Sequence, residues 1–162
     1  MHLMSYNYFQ NHEEVDFVTI PTKFLESERR YPNYDEKYST TRAVNLLEYP
    51  NFIQVQSTSC FFKKTCISDI KFSSEFKLSE DIAFINKLLI QNPNLGICKE
   101  SVYYNRKGRD SNSLLNIIPN LKDSSGGEIR FHFRSLIKSC LDTYNAIPDF
   151  IQKTILYYFV YN

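Results

Sequence analysis

The sequence predicts an α/β domain followed by a C-terminal helical extension. Short apolar or alternating runs at residues 15–20, 52–56, 95–98 and 101–105 read as strands, while residues 80–90 place apolar positions 82, 85, 88 and 89 on one helical face. Two further helical stretches, 128–144 and 148–158, gather at the C-terminal end. A chain of 162 residues, 43% of them hydrophobic, suffices for a packed core. We divide it into an α/β part, residues 1–120, and a helical extension, residues 121–162.

Residues 1–14 are polar and aromatic without clear period. The strand at 15–20 is closed by Pro21, whose missing amide hydrogen cannot continue a ladder. Residues 23–41, dense in charge and tyrosine and containing Pro32, read as a long surface loop. Phe52 to Gln56 alternate as a strand, a Ser/Thr/Cys turn follows, and a second loop runs through residues 69–77. Ser79 stands as N-cap before Glu80 and Asp81, whose charges suit the positive end of a helix dipole. Asn92-Pro93-Asn94 ends that helix, and residues 106–110 form a polar loop after the last strand. Pro148 opens the final helix, where no amide donor is required.

Composition excludes several functions. Nineteen Lys plus Arg against eighteen Asp plus Glu leave a net charge of +1, too little field to hold nucleic acid against salt. Cys60, Cys66, Cys98 and Cys140 lack zinc-ribbon spacing and follow no secretory leader, which predicts reduced, mostly buried thiols of a cytoplasmic protein. The apolar stretch 147–161 is interrupted by Asp149, Gln152 and Lys153 and falls short of the roughly 20 residues a bilayer span needs. It leaves peripheral contact with a membrane surface open. His2, His12 and His132 are scattered, and no Ser or Cys has a nearby partner base. Tyr31, Tyr34 and Tyr38 suit a sugar platform or ordinary packing equally.

Chemistry concentrates in two segments. In Phe76-Lys77-Leu78-Ser79-Glu80-Asp81-Ile82-Ala83-Phe84 a carboxylate pair opens a helix beside a loop. Such a pair serves as a general base for an incoming hydroxyl or merely complements the helix dipole. Arg106, Lys107 and Arg109 are fixed cations after a strand, suited to a departing diphosphate or to solvation.

The first run resembles the glutamate–aspartate motif of family 2 glycosyltransferases of the GT-A fold, in the teichoic-acid and capsule-polysaccharide branch. Residues 15–21, the stretch 53–62, the Tyr103-Tyr104-Asn105-Arg106-Lys107 run with Ser111 and Ser113, and the proline–glutamine helix from Pro148 resemble family segments in the same order. The resemblance implies that residues 1–120 are the C-terminal half of a GT-A, Rossmann-like domain. It makes Asp81 the catalytic base of an inverting transfer, with Glu80 orienting the loop or acceptor. It also makes Arg106, Lys107, Arg109, Ser111 and Ser113 substrate-binding, with Arg106 first at the donor phosphates and Asp110 where relatives place a histidine.

The same resemblance implies a nucleotide-sugar donor, a cell-surface glycopolymer acceptor, and a divalent metal, Mn or Mg, held by an aspartate-x-aspartate motif. No such triplet occurs in this sequence, and no glycine-rich phosphate loop replaces it. We therefore expect a truncated reading frame, an excised piece, or one half of a split enzyme whose N-terminal half is a separate chain; alone it is expected to be inactive, with no metal of its own. Its expected place is the cytoplasm, at the inner face of the membrane. The competing expectation is a non-catalytic interaction module that binds a partner chain or membrane surface.

Overall fold

The computed structural model describes residues 2–25, 34–67, 70–72, 80–105 and 125–161. Its centre is β1 (Phe17–Thr19), which pairs in parallel with β5 (Asn94–Ile97) and antiparallel with β4 (Cys60–Phe62). Strand β3 (Arg42–Asn45) lies antiparallel on the far side of β5, giving the order β3-β5-β1-β4. A separate parallel pair joins β2 (Thr22–Phe24) to β6 (Tyr103–Asn105).

Strand residues alternate between two faces, and the two apolar clusters follow that alternation. Phe17, Val44, Leu95 and Ile97 meet α3 (Glu80–Gln91), α4 (Ser125–Tyr144) and α5 (Asp149–Tyr161) in the larger cluster, through Ile85, Leu89, Leu136 and Phe150 among others. Val18 points the other way and packs with Val15, Ile20 and Tyr8 of α1 (His2–Asn11). The result is an α/β domain of partial Rossmann-like form, its parallel pair bridged by α3, with a C-terminal helical extension that shares the main core. The Tyr144 hydroxyl donates to Ile90 O at 2.6 Å, tying the end of α4 to the end of α3. Asn145, at φ 54°, makes the left-handed turn that lets the chain leave α4.

Three expectations are corrected. Residues 52–56 form no strand; the carbonyls of Ile53, Gln54 and Gln56 are taken by side chains rather than by a ladder. Residues 1–14 are not irregular, because α1 forms there and buries Tyr8. The stretch 23–41 is not wholly loop: it holds most of β2 and the short α2 (Tyr34–Lys37), and Lys37 is buried. Helix α4 begins at Ser125, ahead of the expected 128, and α5 runs to Tyr161. The expected boundary at 120/121, the Ser79 cap and Tyr31 lie outside the described residues, and so does most of the loop 69–77.

Gly96 shows why the middle of β5 carries no side chain. The Tyr8 ring crosses it, with its hydroxyl donating to Arg42 O at 2.6 Å and accepting from Ile97 N at 3.3 Å. A Cβ on Gly96 would stand 2.7 Å from Tyr8 Cε1, 3.0 Å from Val15 Cγ1 and 3.1 Å from Val18 Cβ. Gly96→Ala must displace a ring pinned by two hydrogen bonds, and we expect it to cost about 1–3 kcal/mol. The midpoint of urea unfolding measures this; an unchanged midpoint would show that α1 gives way without cost.

Candidate active site

The carboxyl ends of β1 and β5 and the amino end of β4 lie at one edge of the sheet, since Thr19 pairs with both Ile97 and Cys60. A helix joining parallel strands runs back against them, so α3 begins at this edge. Glu80 and Asp81 occupy its first turn, both half-buried. Asp81 Oδ1 accepts a hydrogen bond from the Ser57 hydroxyl, which fixes one oxygen of the carboxylate.

Ser57 is held by residues 53–57, an irregular segment in which the backbone oxygens of Ile53, Gln54 and Gln56 accept from side chains. Lys37 Nζ donates to Ile53 O at 2.8 Å, and Asn86 Nδ2 of α3 donates to Gln54 O at 3.4 Å. Gln56 O receives the Gln54 amide at 2.7 Å and the Cys60 thiol at 3.0 Å, and Cys60 N donates to Ser57 O at 3.0 Å. Buried carbonyls demand partners of some kind, and here the partners fix a loop as firmly as a ladder would fix a strand.

Gln54 is the hub. Its Oε1 accepts from Lys37 Nζ at 2.5 Å and from Thr19 Oγ1 at 3.1 Å, while Nε2 also approaches Cys60 Sγ at 3.4 Å. Thr19 Oγ1 meets the Tyr38 hydroxyl at 2.9 Å. The network thus runs from the end of β1 through Gln54 and Ser57 to Asp81.

Lysine is almost never fully buried without an opposite charge. Among the described residues Lys37 has neutral oxygens and the Tyr38 ring, 5.5 Å away, but no carboxylate in ion-pair range. Burial lowers its pKa from 10.5 to about 7. Burial likewise pushes the Cys60 thiol up to about 12, keeping it protonated and a donor.

Of the residues singled out in the sequence, Asp81 and Glu80 are placed at this edge. Arg106, Lys107, Arg109, Asp110, Ser111 and Ser113 lie outside the described residues. Lys37, Gln54, Thr19, Cys60 and Asn86 were not anticipated as site neighbours. Among the described residues no three His, Cys, Asp or Glu side chains gather to hold a metal, so these residues do not by themselves fit a divalent ion. A cavity of about 30 Å³, lined by Asp16, Cys66 and Asn92, lies at the opposite edge and has room for a water or two. No helix of the described residues is long and apolar enough to cross a membrane.

The buried lysine makes stability depend on pH. Its folded pKa lies below its unfolded one, so the unfolded chain binds more protons between about 7 and 10.5, and stability rises with pH through that range. Cys60 opposes this only above its unfolded value of 9.0. Between pH 7 and 9 we expect the stability of wild type relative to Lys37→Met to climb by up to about 1.4 kcal/mol per pH unit. Chemical denaturation of both proteins across that range is the check; parallel curves would mean that Lys37 titrates normally.

No family model matches the chain. Over 152 residues, 93% of its length, it is 28% identical to the minor teichoic acid biosynthesis protein GgaB of Bacillus subtilis (strain 168), of which it covers 17%. Over 155 residues, 94% of its length, it is 22% identical to the minor teichoic acid biosynthesis protein GgaA of the same strain, of which it covers 35%. The chain therefore spans well under half the length of either curated relative, while almost all of it is similar to a part of these two teichoic acid biosynthesis proteins.

Proposed function

We propose that this chain carries the acceptor side of an inverting, GT-A, family 2 glycosyltransferase active in cell-wall glycopolymer synthesis, with Asp81 as the general base. The observation that carries the reading is the placement of Asp81: first turn of the helix that bridges the parallel strands, at their carboxyl edge, with one oxygen fixed by Ser57. Ligands of open α/β sheets bind at that edge, and a fixed carboxylate there can take the proton of an acceptor hydroxyl as it attacks the sugar. Similarity to two teichoic acid biosynthesis proteins supports the polymer class. In this reading the nucleotide-sugar donor and its Mn or Mg ion are held by a second half outside this chain. Arg106 with Lys107, Arg109, Ser111 and Ser113 approaches the donor, and the assembly works at the inner face of the membrane.

The alternative, an interaction module, has one observation in its favour: Leu156, Phe159 and Val160 of α5 are 63%, 67% and 62% exposed. Asp81→Asn separates the two readings. The amide keeps shape and can still sit at a helix start, yet it cannot accept the proton. In the assembled transferase kcat should fall on the order of 10²–10⁴-fold, with fold and donor affinity retained. Near-normal turnover would remove Asp81 from the role. This chain alone should show no turnover, and metal-dependent transfer by the purified 162 residues would overturn the division of the site.

A further inference from the structure

We propose that Lys37 is a positioning residue for Asp81: its buried amino group clamps residues 53–57 so that the Ser57 hydroxyl stays on the Asp81 carboxylate. The proposal rests on the reading of Asp81 as the base and deepens it. Lys37 ends α2, and its side chain reaches across to two acceptors of one segment, Ile53 O at 2.8 Å and Gln54 Oε1 at 2.5 Å. The second contact orients the Gln54 amide, whose Nε2 then closes on Gln56 O at 2.7 Å, one residue before Ser57. From the helix side Asn86 Nδ2 holds Gln54 O at 3.4 Å and its own turn through Ile82 O at 2.8 Å, so the segment is referenced to the helix that carries Asp81.

Space filling alone does not account for a lysine here. A methionine of similar length would fill the same space without burying a polar group. What methionine cannot do is donate to two oxygens at once. The lowered pKa of Lys37, to about 7, reflects the cost the fold carries to keep that donor. Without it, Ile53 O loses its partner and Gln54 Oε1 keeps only Thr19 at 3.1 Å, so Ser57 is no longer fixed over Asp81.

The test uses carboxyl-labelled carbon NMR of the 162-residue chain, with Ser57→Ala marking the Asp81 signal when its serine is absent. In Lys37→Met the Asp81 signal should move to the Ser57→Ala position. In Lys153→Met, which removes a surface lysine bonded to Asn51, it should stay at the wild-type position. Gln54→Met cuts the same path beyond the lysine and should move the signal likewise, which keeps the test decisive if Lys37→Met folds poorly. An Asp81 signal at its wild-type position in both Lys37→Met and Gln54→Met overturns the proposal. In the assembled transferase, Lys37→Met should lower kcat on the order of 10- to 100-fold at unchanged donor KM, also at temperatures well below the melting point of the variant. A fall in melting temperature with kcat unchanged overturns it too, since that is the mark of a purely structural residue. The two readings fail separately: a moved signal combined with an active Asp81→Asn enzyme sinks the base assignment and leaves the clamp standing.

Discussion

Two strands nearly eighty residues apart in sequence must lie parallel, and much of this molecule follows from that constraint. Pairing β1 with β5 in parallel requires the chain to cross back over the sheet, and α3 is the return path. Its direction is then fixed, so the carboxylates of its first turn arrive where β1 ends. The antiparallel strands β3 and β4 complete the sheet and bring Arg42 and Cys60 to the same edge. Site and core are thereby two ends of one arrangement: the apolar face of α3 anchors the helix, and its polar start is presented.

The network around Gln54 shows how an irregular segment can be made rigid. Backbone oxygens at 53, 54 and 56 have side-chain donors from α2, from α3 and from the segment itself. A neutral bond of this kind contributes about 0.5–1.5 kcal/mol net, and leaving a buried acceptor unmet costs about 1–3 kcal/mol. The segment therefore holds as a set. One oxygen, Asn86 Oδ1, is buried without a hydrogen-bond partner among the described residues, the one visible imperfection of the network.

Helix α3 was legible in the sequence because Ile82, Ile85, Leu88 and Leu89 repeat at helical spacing between acidic residues and Asn92-Pro93. The strands at 17–19 and 94–97 were legible to within a few residues for a similar reason, being short apolar runs. The stretch 52–56 misled because its alternation is real: Phe52 and Gln54 are buried and their neighbours less so. Alternation records which side chains point inward, whereas only the backbone partners decide whether a strand exists. Lys37 was illegible in principle, since residue type argues for solvent and only tertiary packing encloses it. Ser57 lay inside a segment already singled out, but its contact with Asp81 joins positions 24 apart, a pairing that local pattern cannot reveal. Helix α1 escaped because its residues lack a clean apolar stripe and it is secured chiefly through Tyr8.

The shared core of α3, α4 and α5 bears on how such a chain can change over generations. Phe133, Leu136, Cys140, Phe150 and Ile151 interlock with Ile85 and Leu89, so the two last helices supply a wall of the same interior that supports Asp81. Recombination that joined the sheet of one relative to the final helices of another would bring together surfaces shaped in different lineages. Close-packed interiors tolerate volume-conserving exchange and little else. Inheritance of α3 through α5 as a single block is the physical expectation, with sequence drift in these three helices compensated across their contacts rather than within each helix.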